Sequence, residues 1–448
     1  MSMKRYAPLL ALAGLALAQA APAQTVALRH ARVIDGNGGA PLENATVLIE
    51  NGRIAAVGAD ASVKLPAKAK LIDLAGKSVL PGLISDHSHL GITDGTGAGP
   101  QNYNRANIVR ELRQWQRYGV TTVTSLGLNG PLFYTLQREA HAGTLPGADI
   151  FGADRGIGVP AGAPPMNVAA DQLYRPSTPE QARAAVDETA TRHPSFVKVW
   201  VDDFHHSVPA KMSPEVYRAA LDEAHKKGLR VAAHVYYLAD AKQLVADGAD
   251  VIAHGVRDEP VDQAFVDALK AHGTWYIPTL GLDESFYIYA QQPAWMQTAF
   301  FRQAVQPALA AQFADPAWRA KVLDPKALAV NQASVKTNQA NLKRLYDAGV
   351  KIGFGTDSGA TPLRLPGFAE HRELHLITEA GLTPLQAISL ATRDAAALLK
   401  LDDRGTLAPG KRADLLVVDG DPSHAIADLD RIEAVWQRGR QVAGPIAP

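Results

Sequence analysis

The chain has 448 residues, 47% of them hydrophobic and 20% charged, which is enough apolar surface for a large core and for more than one domain. Its 45 basic and 45 acidic side chains balance, which argues against a nucleic-acid partner or an acidic membrane surface. There is no cysteine, so disulfides are excluded and any bound metal must be held by nitrogen and oxygen ligands.

Residues 1–23 carry Lys4 and Arg5, an apolar run from Ala7 to Ala18, and small residues at Ala18-Gln19-Ala20 and Ala21-Pro22-Ala23. This pattern predicts a secretory signal cut after Ala20 or Ala23, and hence a periplasmic or secreted protein. The apolar run is shorter than the roughly 20 residues that span a bilayer, so no stable membrane anchor is expected. Cleavage would leave 43 basic against 45 acidic side chains.

From residue 24 to 80 the sequence reads as short strands and tight turns: VALRHARVID, ATVLIENGRIAAVG and KLIDLAGKSVL, with Asn51-Gly52 as a hairpin turn. The same texture returns in residues 401–448, where ADLLVVDGD and RIEAVWQRGRQV flank turns. The two ends are therefore expected to pair into one small β-sandwich domain.

Between them, in residues 81–400, strand-like runs alternate with helical patterns, the signature of an α/β barrel. The run VLPGLISDHSH from Val79 to His89 comes first. It is followed by TTVTSLG (121–127), ADIFGADRG (148–156), FVKVWVDD (196–203) and LRVAAHVYY (229–237). DVIAHG (250–255), TWYIPTL (274–280) and KIGFGTDSG (351–359) complete eight, the strand number of a (β/α)8 TIM barrel. Helices are predicted over 179–191, with Thr178 as N-cap, and over 214–227, between Ser213 and Gly228. Residues 282–348 form a long aromatic-rich insertion, read as helical packing in preference to a substrate lid.

The polar residues of these strands carry the functional signal. In an extended strand His87 and His89 share one face and can chelate one metal. Lys198, His234, His254 and Asp357 lie in strands four, five, six and eight, towards the ends where a parallel barrel keeps its active site. Taken singly, each has an ordinary structural explanation, as a snorkelling lysine, a satisfied core histidine or a turn cap. Aimed together at one barrel mouth, they point to a shared metal site.

These residues, the PGLI run before the histidines, GTDSG, and the tail GTLAPGKRADLLVVDGDP carry a resemblance to the amidohydrolase superfamily. The chain resembles its binuclear branch with a carboxylated lysine, and within it secreted imidazolonepropionase-like and prolidase-like enzymes. One departure stands out. The usual strand is Asp-x-His-x-His, but Ser85 occupies the aspartate position and Asp86 falls between.

The resemblance implies two divalent ions, with zinc the best match to these ligands. His87, His89 and Asp357 would hold one and His234 and His254 the other, bridged by a carboxylated Lys198. A hydroxide held by the metals would be the nucleophile, and Asp357 the general acid and base. Period two puts Tyr236 on the face of His234, where it could steady a developing oxyanion. Arg155, Arg257 and Arg364 are candidate anchors for a substrate carboxylate. The implied reaction is hydrolysis of amide bonds in small molecules such as dipeptides or N-acyl amino acids. Cyclic amides, lactones or esters at the same metals are the alternative substrates, and a non-catalytic binding protein on a decayed barrel is the alternative class. The resemblance also suggests a homo-oligomer.

Overall fold

The computed structural model describes residues 25–446; the expected signal segment, residues 1–23, lies outside them. Strands from both ends of the described chain form one eight-stranded sheet. Its main path runs Arg440–Ala443, Ile432–Gln437, Leu415–Asp419, Lys77–Pro81, Val26–Val33, Leu42–Glu50 and Arg53–Ala59, with Lys70–Asp73 paired beside Val26–Val33. These strands are hydrogen-bonded continuously, because Val26–Val33 pairs with Lys70–Asp73 along its first half and with Lys77–Pro81 at its end. Asn51-Gly52 joins the second and third strands with φ of 50° and 80°, the left-handed pair that a two-residue hairpin turn needs. Alternate residues of these strands, Val26 and Leu28, Val47 and Ile49, Leu415 and Val417, close a core of their own with Val79 and Trp436.

The chain leaves this sheet through Gly82, whose amide donates to Asp414 O at 2.9 Å. A Cβ there would lie 2.4 Å from Thr121 Oγ1, so only glycine lets the sheet and the next strand abut. Seven parallel strands follow in a TIM-barrel-like α/β arrangement. Leu83–Ser88, Val120–Ser125 and Asp149–Gly152 form one sheet, and Phe196–Trp200, Arg230–His234, Val251–Ala253 and Trp275–Ile277 another. A bridge between Ala153 and Phe196 joins the two.

At the eighth position the sequence predicts a full strand over 351–359. The segment instead makes single bridges, Ile352 to Tyr276 on one side and Ser358 to Ser88 on the other. Left-handed backbone at Asp357, φ 59°, and Gly359, φ 83°, breaks the extended geometry that a ladder requires.

Helices cover the outside. Pro179–Ala190 starts at Thr178, whose side chain accepts from Gln181 N at 3.3 Å. Pro214–Lys226 follows Ser213 and stops before Gly228, which has φ 72°. The 282–348 insertion is a string of short helices ending in the long helix Pro325–Asp347. Tyr289, Phe301 and Phe313 stack there, and Trp295 and Phe368 close over them. No helix among the described residues is long and apolar enough to cross a membrane.

The end of the barrel opposite the site is pinned to the chain's C-terminal part by one carboxylate. Asp149, the first residue of its strand, accepts at Oδ2 from Arg404 at 2.9 Å, Arg412 at 2.7 Å and Arg438 at 3.4 Å. Burial works against its charge, but Arg412 and Arg404 outweigh burial and hold the carboxyl at about 2. Asp149→Ala would strand these guanidiniums, and is expected to cost about 3–5 kcal/mol in urea unfolding at pH 7. A depressed carboxyl stabilises above its unfolded value near 3.9, and the contribution disappears as pH falls through the folded value. The difference between native and variant protein should therefore shrink between about pH 4 and pH 2.

Candidate active site

At the opposite end, the strand ends bring the six expected ligands into one buried cluster. His87 and Lys198 are fully buried, and His89, His234, His254 and Asp357 are at most 6% exposed. His87 and Lys198 project from within their strands, and His234 is the last residue of its own. His254 lies one residue past Ala253 with φ 98°, and Asp357 lies in the broken eighth segment. Left-handed backbone at non-glycine residues costs on the order of 1–3 kcal/mol each, and here it turns both side chains toward the cluster.

The rings of His87 and His254 are 4.4 Å apart, and those of His234 and His254 4.5 Å. Asp357 Oδ1 is 3.0 Å from His89 Nε2 and 3.3 Å from His87 Nε2. One ligand atom each from His87, His254 and Asp357 falls within 4.8 Å of the others. These three come from both halves of the expected two-ion partition, so the half-sites are contiguous.

The donor set fits a divalent ion. Both ring nitrogens of His87 and of His234, and Lys198 Nζ, are buried without hydrogen-bond partners. Leaving buried polar atoms unpaired costs about 1–3 kcal/mol each, and one free nitrogen on each imidazole together with the lysine amine offers lone pairs to an electrophile. Burial pushes the imidazoles of His87, His254 and His234 down towards the neutral form that binds metals. Burial likewise brings Lys198 down to about 7, against the partial opposition of Asp357 and Asp202. For Asp357, burial opposes ionisation, but Arg364, His89 and His87 outweigh it and keep the carboxyl ionised.

Several partners of this cluster are not legible in the sequence. Thr279 Oγ1 sits 3.0 Å from His254 Nδ1, and Gly127 O sits 3.3 Å from His89 Nδ1, which fixes the two rings. Phe204 stacks on His234 at 4.3 Å, and Asp202 lies 3.3 Å from His234 Nε2. The most connected is Glu370. Its Oε1 accepts from Ser85 Oγ at 3.2 Å, Trp115 Nε1 at 3.1 Å, Thr356 Oγ1 at 2.9 Å and Ser358 Oγ at 2.6 Å. Its Oε2 accepts from Gly367 N at 2.8 Å. Ser85, at the position where the family pattern has an aspartate, thus reaches a carboxylate supplied by another element. Asp86 points elsewhere and accepts from Phe354 N at 3.1 Å.

A cavity of about 480 Å³ opens onto the cluster, a size suited to a small molecule. Trp200, Phe204, Tyr236, Phe286 and Met166 give it an apolar wall, and His89, His234, His254 and Asp357 line its floor. Pro164 and Pro165, from the loop after the third strand, border it too. The insertion, read from sequence as packing in preference to a substrate lid, also contributes Leu282, Asp283, Phe286, Asn331 and Ser334 to the wall. Tyr236 lines the cavity, with its hydroxyl 3.0 Å from Ser334 Oγ and its ring stacked on His205 at 4.5 Å.

Two of the three candidate arginine anchors reach the cavity. Arg257 and Arg364 line it, whereas Arg155 pairs with Glu188 at 3.1 Å and stacks over Tyr174. Two further histidines are held outside the cluster: His371 and His375 lie 3.0 and 2.9 Å from Asp430.

Comparison with known proteins agrees with this arrangement. A mycobacterial relative of uncharacterised function, from Mycobacterium tuberculosis, is 29% identical over 271 residues, 58% of this chain and 61% of its own length. The chain thus spans about three fifths of that relative. An imidazolonepropionase from Streptomyces avermitilis is 25% identical over 91% of this chain and 90% of its own. Among solved structures, one from Bifidobacterium longum has a TM-score of 0.75 at 26% identity, covering 94% of this chain and 95% of that one. A Xaa-Pro dipeptidase with bound methionine has a TM-score of 0.72 at 23% identity, over 93% and 99% of the two chains, and attests the fold. The amidohydrolase family model matches residues 78–442, from the last N-terminal strand of the composite sheet through the barrel to the C-terminal strands. The chain belongs to the amidohydrolase family.

Proposed function

We propose that the protein hydrolyses amide bonds of small molecules, with dipeptides or N-acyl amino acids as the substrate class, at a binuclear site on a barrel closed by the 351–359 segment. The observation that carries this reading is the set of unpartnered His87, His234 and Lys198 nitrogens beneath an apolar cavity. His87, His89 and Asp357 would hold one ion and His234 and His254 the other, with zinc the ion that suits imidazole and carboxylate best.

Bound divalent ions supply Lewis acidity toward a carbonyl oxygen and a lowered pKa for water. The chain's own residues do the rest. A lysine whose ammonium is destabilised by burial and brought down to about 7 has a substantial neutral fraction near pH 7 and can add carbon dioxide, giving a two-oxygen anion. In our reading Lys198 would carry that carbamate, its N–H proton released to solvent, and would serve as a ligand to the bound metal. Asp357, ionised and facing His87 and His89, takes the proton from the attacking water and passes it to the leaving nitrogen. Tyr236 presents its hydroxyl at the cavity wall, where it can donate to the developing oxyanion. The cavity aromatics exclude water and hold the apolar part of the substrate.

The similarity to an imidazolonepropionase over most of both chains favours a second reading, hydrolysis of a cyclic amide on the same residues. A panel of N-acyl amino acids, Xaa-Pro dipeptides, cyclic amides, lactones and aryl esters separates the two. Amino-acid release by zinc-loaded protein, abolished by chelator, is expected, and activity confined to lactones or esters would overturn the substrate class. Asp357→Asn is expected to lower kcat by about a thousandfold or more, since it removes both the proton carrier and a ligand.

Metal content gives an independent measurement. The protein is expected to hold close to two ions per chain and to melt at higher temperature with zinc than after chelation, because a ligand of the folded state stabilises it. Lys198→Ala should lose metal and hydrolysis together; if both persist, the ligand role of Lys198 is wrong. We also propose that residues 1–23 direct export, which N-terminal sequencing of the mature protein would test.

A further inference from the structure

Two hydrogen-bond donors on the segment that follows Asp357 have no acceptor. Arg364 is 6% exposed, and its Nη1 donates to Asp357 Oδ2, but its Nε is buried without a partner. Three residues earlier, Thr361 buries its Oγ1 in the same condition. Both residues line the cavity that opens onto the histidine cluster. Donors left unpaired in a protein interior are costly, so this pair is built for an acceptor that the chain itself does not supply.

The geometry of the guanidinium says which acceptor. It offers two edges, each able to grip a carboxylate through two parallel hydrogen bonds. With Nη1 committed to Asp357, the Nε and Nη2 edge remains, and no acceptor for either nitrogen is found among the described residues. The Phe286 ring backs the group, its centre 5.2 Å from Arg364 Cζ, and shields it from solvent.

The other candidates are committed elsewhere. Arg257 Nη1 donates to Val235 O at 3.2 Å and Gly255 O at 2.7 Å, and its Nε, although it makes no hydrogen bond, is charge-paired with Asp283 Oδ2 at 2.9 Å, an acidic neighbour that a substrate carboxylate would have to displace. Arg155 is held by Glu188, away from the cavity.

We propose that Arg364 and Thr361 form the subsite for the ionised carboxylate of an N-acyl amino acid, and so select acids over analogues that lack this group. The proposal rests on the amide-hydrolase reading and deepens it. One guanidinium would then touch both the substrate's carboxylate and Asp357, and so set the distance between the anchored end of the substrate and the group that moves its proton. The aromatic wall of Trp200, Phe204 and Phe286 leaves the rest of the substrate apolar.

The experiment compares N-benzoyl-L-phenylalanine with N-benzoyl-2-phenylethylamine, which has the same amide and no carboxylate. Native zinc-loaded protein is expected to favour the acid by about a hundredfold or more in kcat/KM, the discrimination typical of a site built for a missing polar group. Thr361→Val, which leaves the Asp357 contact in place, should cut that ratio about tenfold through KM. Arg364→Met should bring the ratio near one. A native ratio near one, or an Arg364→Met loss equal for both compounds, would overturn the subsite.

Binding of L-phenylalanine by calorimetry separates this proposal from the reading beneath it. Binding lost in Arg364→Met supports the subsite even if no amide is cleaved, an outcome that would sink only the hydrolase reading. Equal binding by native and Arg364→Met protein overturns the subsite even in an active enzyme.

Discussion

The buried carboxylate of Glu370 is the fixed point on which the site depends. It ties the strand that carries His87 and His89, through Ser85, to the segment that carries Asp357, through Thr356 and Ser358. Trp115 adds the first helix after the histidines to the same oxygen. Four donors converging on one oxygen satisfy a charge that would otherwise be costly to bury, and together they fix two segments that regular pairing holds only weakly. The eighth segment needs such a clamp because its ladder is interrupted at the residue that must turn inward. Glycine completes the approach: a Cβ on Gly355 would lie 2.7 Å from His87 N.

Asp357 shows how one side chain serves two neighbours of opposite demand. Oδ1 faces the histidines and Oδ2 faces Arg364, so the carboxylate lies between the ligand cluster and the cavity wall. The left-handed backbone makes this possible, and it is tolerable because the surrounding hydrogen bonds over-determine it. Local strain here is inseparable from the convergence of the ligands.

Much of this is legible in the sequence because periodicity speaks directly to strands. Alternation places His87 and His89 on one face, the apolar runs locate seven parallel strands, and Asn51-Gly52 marks its hairpin. What escapes is set by partners distant in sequence. Nothing near Ser85 announces Glu370, 285 positions away, and nothing near Arg155 announces that Glu188 holds it. Pattern alone overruns the ends of strands six and eight, because left-handed φ at His254 and Asp357 is invisible to hydrophobic periodicity. Aromatic composition of the insertion indicates packing, which Tyr289, Phe301 and Phe313 fulfil. It does not distinguish them from Phe286, which turns to the cavity.

The composite sheet also has a consequence for biosynthesis. Lys77–Pro81 finds one of its neighbours in Leu415–Asp419, with Leu80 opposite Leu416. Ribosomes add residues in order, so this strand waits with one edge bare while more than three hundred further residues are made. The fold is sealed only when the tail arrives. A chain built this way stays open to chaperones until synthesis is nearly over, and a premature stop in its last few dozen codons would leave the composite sheet with a sticky, unpaired edge.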